Sequence, residues 1–170
     1  MATNMNVSIR YSSHLPVLME AMRITTGDVL ELGPGVFSTP YLHWVCEKEK
    51  RNLLSIEDNY NWHYFCRKYY RTAYHKHLHV LTWDDADTAI KKEWGLAFVD
   101  HSPSERRVVE IAKLANLAQL IVIHDSNVVQ DGNYHYSTIY PLFKYKFDFT
   151  KVEPATTALS NFIDLKDFNI

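Results

Sequence analysis

Cysteine and glycine are scarce in this sequence, and long hydrophobic runs are absent. Among 170 residues there are five glycines and two cysteines, Cys46 and Cys66. No CxxC pair and no Cys/His spacing typical of zinc sites occurs, so a cysteine-based metal site is not expected. Both cysteines fall in segments with helical periodicity, and we expect buried free thiols, which fits a reducing, cytoplasmic compartment. No stretch of about 18 apolar residues is present and the N-terminus has no apolar core, so neither a membrane span nor a signal peptide is predicted.

A strong net charge is also absent. The chain has 18 Lys and Arg against 20 Asp and Glu, a net charge of −2, and a sequence pI of about 6.5. These values give no global attraction to nucleic acid or to an anionic membrane. Hydrophobic residues make up 46% of the chain, an ordinary globular balance. Length and composition predict one domain over residues 1–170, with the polar segment 1–11 loosely ordered.

Two of the five glycines are used together in one turn, in the stretch DVLELGPGVFSTP at 28–40. The apolar residues before the turn predict a buried strand at 28–33, and Ser38 or Thr39 followed by Pro40 predicts a helix start. In such a unit the backbone can approach a ligand closely, and the helix presents free N–H groups. Burying the Glu31 carboxylate in a strand would cost free energy unless a neighbouring group or a ligand interacts with it. A nucleotide-type site and an ordinary turn both stay open, because the third glycine of a dinucleotide fingerprint is missing.

Hydrophobic periodicity predicts alternating strands and helices along most of the chain. Strands are expected at 28–33, 53–56, 79–83, 96–100 and 119–123, and helices near 15–25, 39–50, 62–73, 85–92, 105–117 and 137–143. Segments 144–152 and 157–165 predict an antiparallel hairpin across 153–155. The predicted fold class is α/β: a three-layer sandwich with a mostly parallel seven-stranded sheet, helices on both faces and a C-terminal antiparallel hairpin.

The segment 59–77 is rich in aromatic and basic residues and allows two interpretations. Aromatic side chains that stack bases, beside cations that hold phosphates, would form a platform for single-stranded nucleic acid. Helical spacing instead places Trp62, Phe65, Cys66, Tyr69, Tyr70 and Ala73 on one face, with Arg67, Lys68 and Arg71 on the other. This periodicity favours a core helix, so a nucleic-acid partner is not expected.

Polar or acidic residues follow each of the five predicted parallel strands. They are Glu31 with the glycines, Glu57 with Asp58, Trp83 with Asp84 and Asp85, Asp100 with His101, and His124 with Asp125. In an open parallel sheet, ligands bind at the carboxyl ends of the strands, near the point where the strand order reverses. The common placement therefore predicts a binding site at this edge.

With these motifs the sequence resembles the class I S-adenosylmethionine-dependent methyltransferases, which have a Rossmann-like core, over about residues 12–165. The run Glu31-Leu32-Gly33-Pro34-Gly35 is similar to the family's acid-x-Gly-x-Gly loop. The predicted hairpin is similar to the antiparallel last strand that separates this family from dinucleotide dehydrogenases. The missing third glycine is tolerated in the family. An Asn/Asp-Pro-Pro-aromatic box is missing after strand four, which argues against enzymes that methylate amino groups of DNA bases or protein glutamine.

The resemblance implies S-adenosylmethionine as the cofactor and assigns residues to it. Glu31, Gly33 and Gly35 would surround the methionine part, Glu57 and Asp58 the ribose, Trp83, Asp84 and Asp85 the adenine, and Asp100 the transferring methyl group. One carboxylate can accept from two vicinal hydroxyls. An acidic pocket attracts a positive sulfonium and repels a pyrophosphate, which favours this cofactor over NAD.

Methyl transfer to a hydroxyl or an amine needs positioning and removal of a proton. The candidate catalytic residues are Asp100, His101, His124 and Asp125. The two histidines titrate in the range of a base, although for either one alone a cap or a loop hydrogen bond is the favoured interpretation. Asp100, Asp125 and Asn127 also resemble the metal-binding acids of catechol-type O-methyltransferases, and His124 would suit a softer metal. A divalent metal is not favoured, because the usual Asp-Asn pair is not contiguous here.

The predicted function is methyl transfer from S-adenosylmethionine to an oxygen or nitrogen of a small molecule, or of an exposed group on a larger acceptor. The N-terminal segment, residues 101–105 and the loop 126–137 would select the acceptor, or a partner subunit would, and a homodimer stays open. Tyr134, His135 and Tyr136 are either acceptor contacts or packing residues. The alternatives are a non-catalytic nucleoside-binding module and a metal-dependent enzyme of another reaction type on the same fold.

The segment before the first helix carries a further expectation. Ser12 or Ser13 is expected to cap that helix. His14 either closes the cofactor pocket or lies on the surface beside the cap.

Overall fold

A seven-stranded sheet organises the chain, which the computed structural model describes over residues 8–168 and 170. Its strands are β1 (Val29–Leu32), β2 (Leu53–Glu57), β3 (His75–His79), β4 (Trp94–Val99), β5 (Ala118–Ile123), β6 (Tyr145–Phe149) and β7 (Thr156–Ser160). The strand order is β3-β2-β1-β4-β5-β7-β6. Strands β1 to β5 pair in parallel, and β7 pairs antiparallel with both β5 and β6. The predicted parallel sheet with a C-terminal antiparallel hairpin is confirmed.

Helices cover both faces of the sheet. They are α1 (Leu15–Ile24), α2 (Ser38–Glu49), α3 (Tyr60–Tyr69), α4 (Asp87–Ile90), α5 (Arg107–Leu114) and α6 (Asp131–Tyr134). Successive residues of a strand point to opposite faces. Accordingly, Val29 packs with apolar side chains of α1 and α2, whereas Leu30 and Leu32 pack with those of α4 and α5. Strand β4 is buried along its whole length, as expected for a strand covered on both faces.

The third strand lies four residues earlier than predicted. We expected a strand at 79–83, but β3 spans His75–His79 and pairs with β2 from Leu53 to Glu57. The apolar run Val80-Leu81 after it lies outside the sheet, and Trp83 begins a 3-10 helix, Trp83–Ala86. Strand β3 is at the sheet edge, where alternating polar residues are tolerated, so hydrophobicity was a poor guide.

Several predicted helix ends were wrong as well. Helix α3 ends at Tyr69, which is exposed, so Ala73 lies outside the helix. Helix α2 begins at Ser38 without a side-chain cap, because Phe37 occupies the N-cap position and has no hydrogen-bond acceptor in its side chain. The helix predicted near 137–143 is two 3-10 turns, Tyr136–Thr138 and Tyr140–Leu142.

The order of the strands reverses between β1 and β4. From β1 the chain moves outward through β2 to β3, and it then returns to place β4 on the other side of β1. A crevice forms at the carboxyl ends of the strands at such a reversal. Cys46 and Cys66 are buried free thiols, as expected. Among the described residues, no helix has the length and apolar character needed to span a bilayer.

Candidate active site

The glycine turn after β1 touches the loop after β4. Gly33 has a φ of +85°, and a Cβ placed on it would lie 2.6 Å from the backbone N and Cα of His101. Only glycine permits both this left-handed conformation and this approach. The two loops therefore form one continuous floor at the reversal of the strand order.

Glu31 supports the turn from beneath. Its side chain is fully buried. Thr39 donates to Oε1 at 2.9 Å and Ser55 donates to Oε2 at 2.5 Å. The Gly35 backbone N–H in turn donates to the Thr39 hydroxyl at 2.9 Å. These hydrogen bonds lower the pKa of Glu31, but burial has the larger effect and raises it to about 7. Glu31 therefore positions the glycine turn and is not among the residues that line the adjoining cavity.

A cavity of about 900 Å³ lies over this floor, and we call it the first cavity. It is lined by Gly33, Pro34, Gly35, Glu57, Asp58, Asn59, Asn61, Trp62, Phe65, Asp100, His101 and Ser102. Trp62 donates its indole N–H to the Pro34 carbonyl, and its ring stacks on Phe65 with centroids 5.2 Å apart. The start of α3 thus forms an aromatic wall that adjoins the glycine turn.

Glu57 ends β2 inside this cavity. Its Oε1 accepts the backbone N–H of Asn59 at 2.8 Å. Burial, assisted by the neighbouring Asp58 carboxyl, raises the pKa of Glu57 above its usual range. In its ionised form the carboxylate is suited to accept hydrogen bonds from a ligand.

A second cavity of about 510 Å³ lies beside the first and shares two of its lining residues. Its lining consists of Ser8, Arg10, Tyr11, Asp100, Ser102, Arg107, His124, Asp125, Tyr134 and Pro154. Asp100 and Ser102 belong to both cavities. The Asp100 side chain, 23% exposed, therefore lies where contents of the two cavities would meet.

Arg107 joins the loops after β4 and β5. The buried guanidinium contacts Asp100 Oδ1 at 3.0 Å and Asp125 Oδ2 at 3.3 Å. It also donates from Nε to the His101 carbonyl at 2.6 Å. Burial alone would raise the pKa of Asp100, but the hydrogen bond from His124 and the charges of His124 and Arg107 outweigh it, so that pKa is lowered. Asp100 is therefore held ionised.

His124 links Asp100 to the N-terminal segment. Its Nδ1 lies 3.3 Å from Asp100 Oδ2, and its Nε2 lies 2.9 Å from the Ser13 hydroxyl. Ser13 donates its one proton to the Pro154 carbonyl at 2.8 Å, so Nε2 must be the donor to Ser13. Burial opposes protonation, yet the hydrogen bond and charge of Asp100 raise the pKa of His124. The predicted capping role of Ser13 is thus wrong, because its hydroxyl serves this contact.

His14 is buried beside this pair instead of lying on the surface. Its side chain is 2% exposed, with its ring 4.8 Å from that of Phe98 and 4.9 Å from that of His124. Neither ring nitrogen has a hydrogen-bond partner. Burial and the nearby His124 charge lower the pKa of His14 to about 4, so the ring is neutral at physiological pH.

Among the predicted site residues, His101 lines the first cavity without exposing its side chain, and Trp83, Asp84 and Asp85 line neither cavity. The His101 ring is fully buried, stacks on Trp83 at 3.8 Å, and approaches Glu110 at 3.4 Å. Trp83 is buried and donates its indole N–H to the Ser102 carbonyl. Asp84 and Asp85 line neither cavity: Asp84 pairs with Arg106, and Asp85 accepts from Thr82. The placements of Trp83, Asp84 and Asp85 follow from the shift of β3 to His75–His79.

Asp100, Asp125 and Asn127 were considered as oxygen ligands for a metal ion, but each uses a side-chain oxygen in a contact with another protein group. Asn127 uses Oδ1 to accept the Ala155 N–H, and Asp125 pairs with Arg107 and accepts from the Tyr134 hydroxyl. Tyr134 lines the second cavity, whereas Tyr136 is buried and donates to the His124 carbonyl. His135 is exposed, with a φ of +56°.

Sequence reasoning missed several lining residues. Asn59, Asn61, Trp62 and Phe65 surround the first cavity, although the aromatic ones were expected to pack in a core. Their sequence signal was Asn59, which directly follows Glu57-Asp58 and caps α3 by accepting the Trp62 N–H. A capped helix start next to strand-end acids could have placed this turn at the site.

Comparison with solved structures decides the fold family. A spermidine synthase from Thermotoga maritima superposes with a TM-score of 0.68 and 15% identity, covering 98% of this chain and 64% of that one. The cofactor-bound Rv0187 from MTB superposes with a TM-score of 0.68 and 17% identity, and the match covers 95% of this chain and 84% of that one. An O-methyltransferase from Bacillus cereus in complex with SAH superposes with a TM-score of 0.64 and 13% identity, and the match covers 93% of this chain and 84% of that one. The chain has the class I methyltransferase fold.

The methyltransferase fold is recognised here from structure. No family model matches the sequence, and no curated protein matches it. The chain spans 64% of the length of the spermidine synthase. At these identities the likeness establishes the arrangement of strands and helices, while the chemistry has to be argued from the residues at the site.

Proposed function

We propose that this protein binds S-adenosylmethionine in the first cavity and transfers its methyl group to an oxygen or nitrogen of an acceptor in the second cavity. The observation that carries the proposal is that Asp100 and Ser102 line both cavities at the reversal of the strand order. A donor in one cavity and an acceptor in the other would meet at that junction. Bound S-adenosylmethionine would supply an electrophilic methyl group carried on a positive sulfonium.

The lining of the first cavity fits this cofactor. Glu57, Asp58 and Asp100 place carboxyl groups around the space, which favours a cation. Glu57, at the end of β2, would accept hydrogen bonds from the two ribose hydroxyls. Gly33 and Gly35 bring backbone close to the cavity, where a Cβ on Gly33 would displace the floor. The solved structures with this fold include ones described as cofactor-bound or in complex with SAH, which supports the assignment.

The residues at the junction suit the acceptor side. Asp100 is ionised and partly exposed, so it can accept a hydrogen bond from an acceptor O–H or N–H and orient it. Arg107 and His124, which also line the second cavity, hold the carboxylate in place and are therefore positioning residues. Tyr11, Tyr134 and Arg10 complete the second cavity and would set the size and charge of a small acceptor.

Calorimetric titration tests the cofactor. S-adenosylmethionine and S-adenosylhomocysteine should each bind with 1:1 stoichiometry, while NAD should not bind. Glu57→Gln should weaken binding about 10- to 100-fold, since a hydrogen bond to a charged group is worth about 1.5–3 kcal/mol. The control is Glu93→Gln, because Glu93 is exposed and lines neither cavity. No binding of either compound by folded wild-type protein would refute the proposal.

Formation of S-adenosylhomocysteine tests catalysis. Wild-type protein incubated with S-adenosylmethionine and a panel of small hydroxyl and amine compounds should release it with at least one acceptor, and Asp100→Asn should not. Cofactor binding without turnover on any acceptor would instead support the non-catalytic nucleoside-binding module.

A further inference from the structure

We infer that His14, Asp100 and His124 form a binding site for a divalent transition-metal ion at the inner end of the second cavity. Each side chain offers one ligand atom, and these three atoms lie within 4.8 Å of one another. Two imidazoles and one carboxylate are a recurrent ligand set for Fe²⁺ and related ions when coordination positions are left open. The site rests on these residues alone and does not require the proposed methyl transfer.

The strongest observation is the state of His14. A histidine that is 2% exposed with two unpartnered ring nitrogens is costly, because buried polar groups are almost always hydrogen-bonded. Its ring is nevertheless held against Phe98 and beside His124. A bound metal ion would provide the missing partner, and the neutral ring is the form that ligates metals.

The contacts of His124 are compatible with the same site. Ser13 accepts from Nε2–H, because its own proton goes to Pro154. In the neutral ring the Nδ1 lone pair then faces Asp100 Oδ2, another acceptor, at 3.3 Å. Two acceptors at this distance need a proton or a metal ion between them. A second-shell partner that fixes the other ring nitrogen, as Ser13 does, is typical of metal-ligating histidines.

Charge and chemistry select the class of ion. Asp100 and Asp125 together carry two negative charges against the one of Arg107, so the site has a net charge of −1 with both histidines neutral. Arg107 uses Oδ1 of Asp100 and leaves Oδ2 towards His124. Nitrogen ligands favour Zn²⁺, Fe²⁺, Co²⁺ or Ni²⁺ over Mg²⁺. Around Zn²⁺ the ligand atoms would lie about 3.4 Å apart, so separations that now reach at most 4.8 Å would shorten by up to about 1.4 Å.

The ion would have a direct use in the second cavity. With three protein ligands, its remaining positions would be open to an oxygen of a molecule bound there. A metal ion lowers the pKa of a bound hydroxyl or water. If the proposed methyl transfer holds, this favours an acceptor that offers a hydroxyl oxygen.

A second group of histidines provides the control. It lies along β3 and comprises His43, His63, His75, His77 and His79. Most of these have hydrogen-bond partners: His75 contacts Ser55 and His43, and His77 and His79 contact the carbonyls of Tyr70 and Asp58. His77→Gln therefore removes a histidine from the protein without touching the proposed site.

The test is metal binding by the chelator-treated 170-residue chain. Calorimetric titration with Zn²⁺ should show one tight site in wild type and in His77→Gln, and Mg²⁺ should bind far more weakly. Loss of an outer-shell partner typically costs about 10–100-fold in metal affinity. Ser13→Ala should fall in that range, and His14→Leu and Asp100→Asn should lose at least about 100-fold. Co²⁺ should give visible absorption bands in wild type that are absent in His14→Leu.

Separate controls test whether the variants fold and whether the protein binds S-adenosylmethionine. Leu is apolar and leaves no unpartnered nitrogen, so metal-free His14→Leu should melt no lower than metal-free wild type, while Zn²⁺ should raise the melting temperature of wild type alone. Failure of wild type to take up one equivalent, or equal affinity in His14→Leu, would overturn the proposal and leave a protonated His124 between Asp100 and Ser13. S-adenosylmethionine titration of the same metal-free protein reports the proposed function independently, so failure of one is distinguishable from failure of the other.

Discussion

Gly33→Ala should destabilise the protein strongly, because the substitution strains two things at once. The left-handed backbone costs a non-glycine residue about 1–2 kcal/mol. The new Cβ would also lie 2.6 Å from backbone atoms of His101, and overpacking of this kind costs about 1–3 kcal/mol. Together these predict a loss of about 2–5 kcal/mol in the free energy of unfolding. For a chain of this size each kcal/mol lowers the melting temperature by about 2–4 °C.

The matched control is Gly132→Ala. Gly132 lies in α6 with no atom within 4 Å of the added Cβ, so alanine should be neutral or stabilising by up to about 1 kcal/mol. Urea denaturation followed by circular dichroism measures both variants. If Gly33→Ala unfolds at the urea concentration of wild type, the loops after β1 and β4 are not in the contact described, and the reasoning about the cavity floor fails.

Three further predictions follow from the charges and burial at the site. Because the pKa of Glu57 is raised in the folded protein, its charged form is reached only as pH climbs above the ordinary value. Stability should fall through that window, to which Glu31 also contributes because its pKa is raised to about 7. The affinity for S-adenosylmethionine should rise through the same window, and this rise should flatten in Glu57→Gln. An affinity in wild type that does not change from about pH 5 to 8 would contradict this assignment of Glu57. Arg107→Ala should lower the free energy of unfolding by about 3–5 kcal/mol, since two carboxylates lose their buried partner. The control Arg23→Ala, which removes a surface pair, should cost less than about 1 kcal/mol. Comparable losses of the two variants in urea denaturation would argue against a stabilising role for the contacts of Arg107 with Asp100 and Asp125. Burial raises the pKa of Cys46 and of Cys66 to about 12, so native protein should react slowly with thiol reagents at pH 8 and unfolded protein quickly; rapid native labelling would show that these thiols are accessible.

The architecture was predictable because strands and helices alternate with clear hydrophobic periodicity. Strands such as β4 and β5 are apolar throughout, and the terminal hairpin follows without a long helix between its strands. The carboxyl ends of parallel strands meet at one edge, so Gly33, Glu57 and Asp100 could be placed together from their positions alone. The structure has all three in the lining of the first cavity.

The rest of the site depends on contacts between distant segments. The shift of β3 to His75–His79 carried Trp83 out of the sheet, because an edge strand needs no apolar signature. The burial of His14 could not be read from its neighbours in sequence, since Phe98 and His124 enclose it from β4 and the end of β5. Ser13 looked like a helix cap, and its bond to Pro154 spans 141 residues.

The shared lining of the two cavities has an energetic consequence. Asp100 is the carboxylate that a ligand in either cavity would meet, and its charge can be neutralised only once. A cation in the first cavity changes the cost of placing charge in the second, so occupancy of the two cavities is thermodynamically coupled. Linkage requires that coupling to be equal in both directions. The order in which two ligands arrive therefore cannot alter their joint affinity, although it can alter the rate at which the doubly filled state forms.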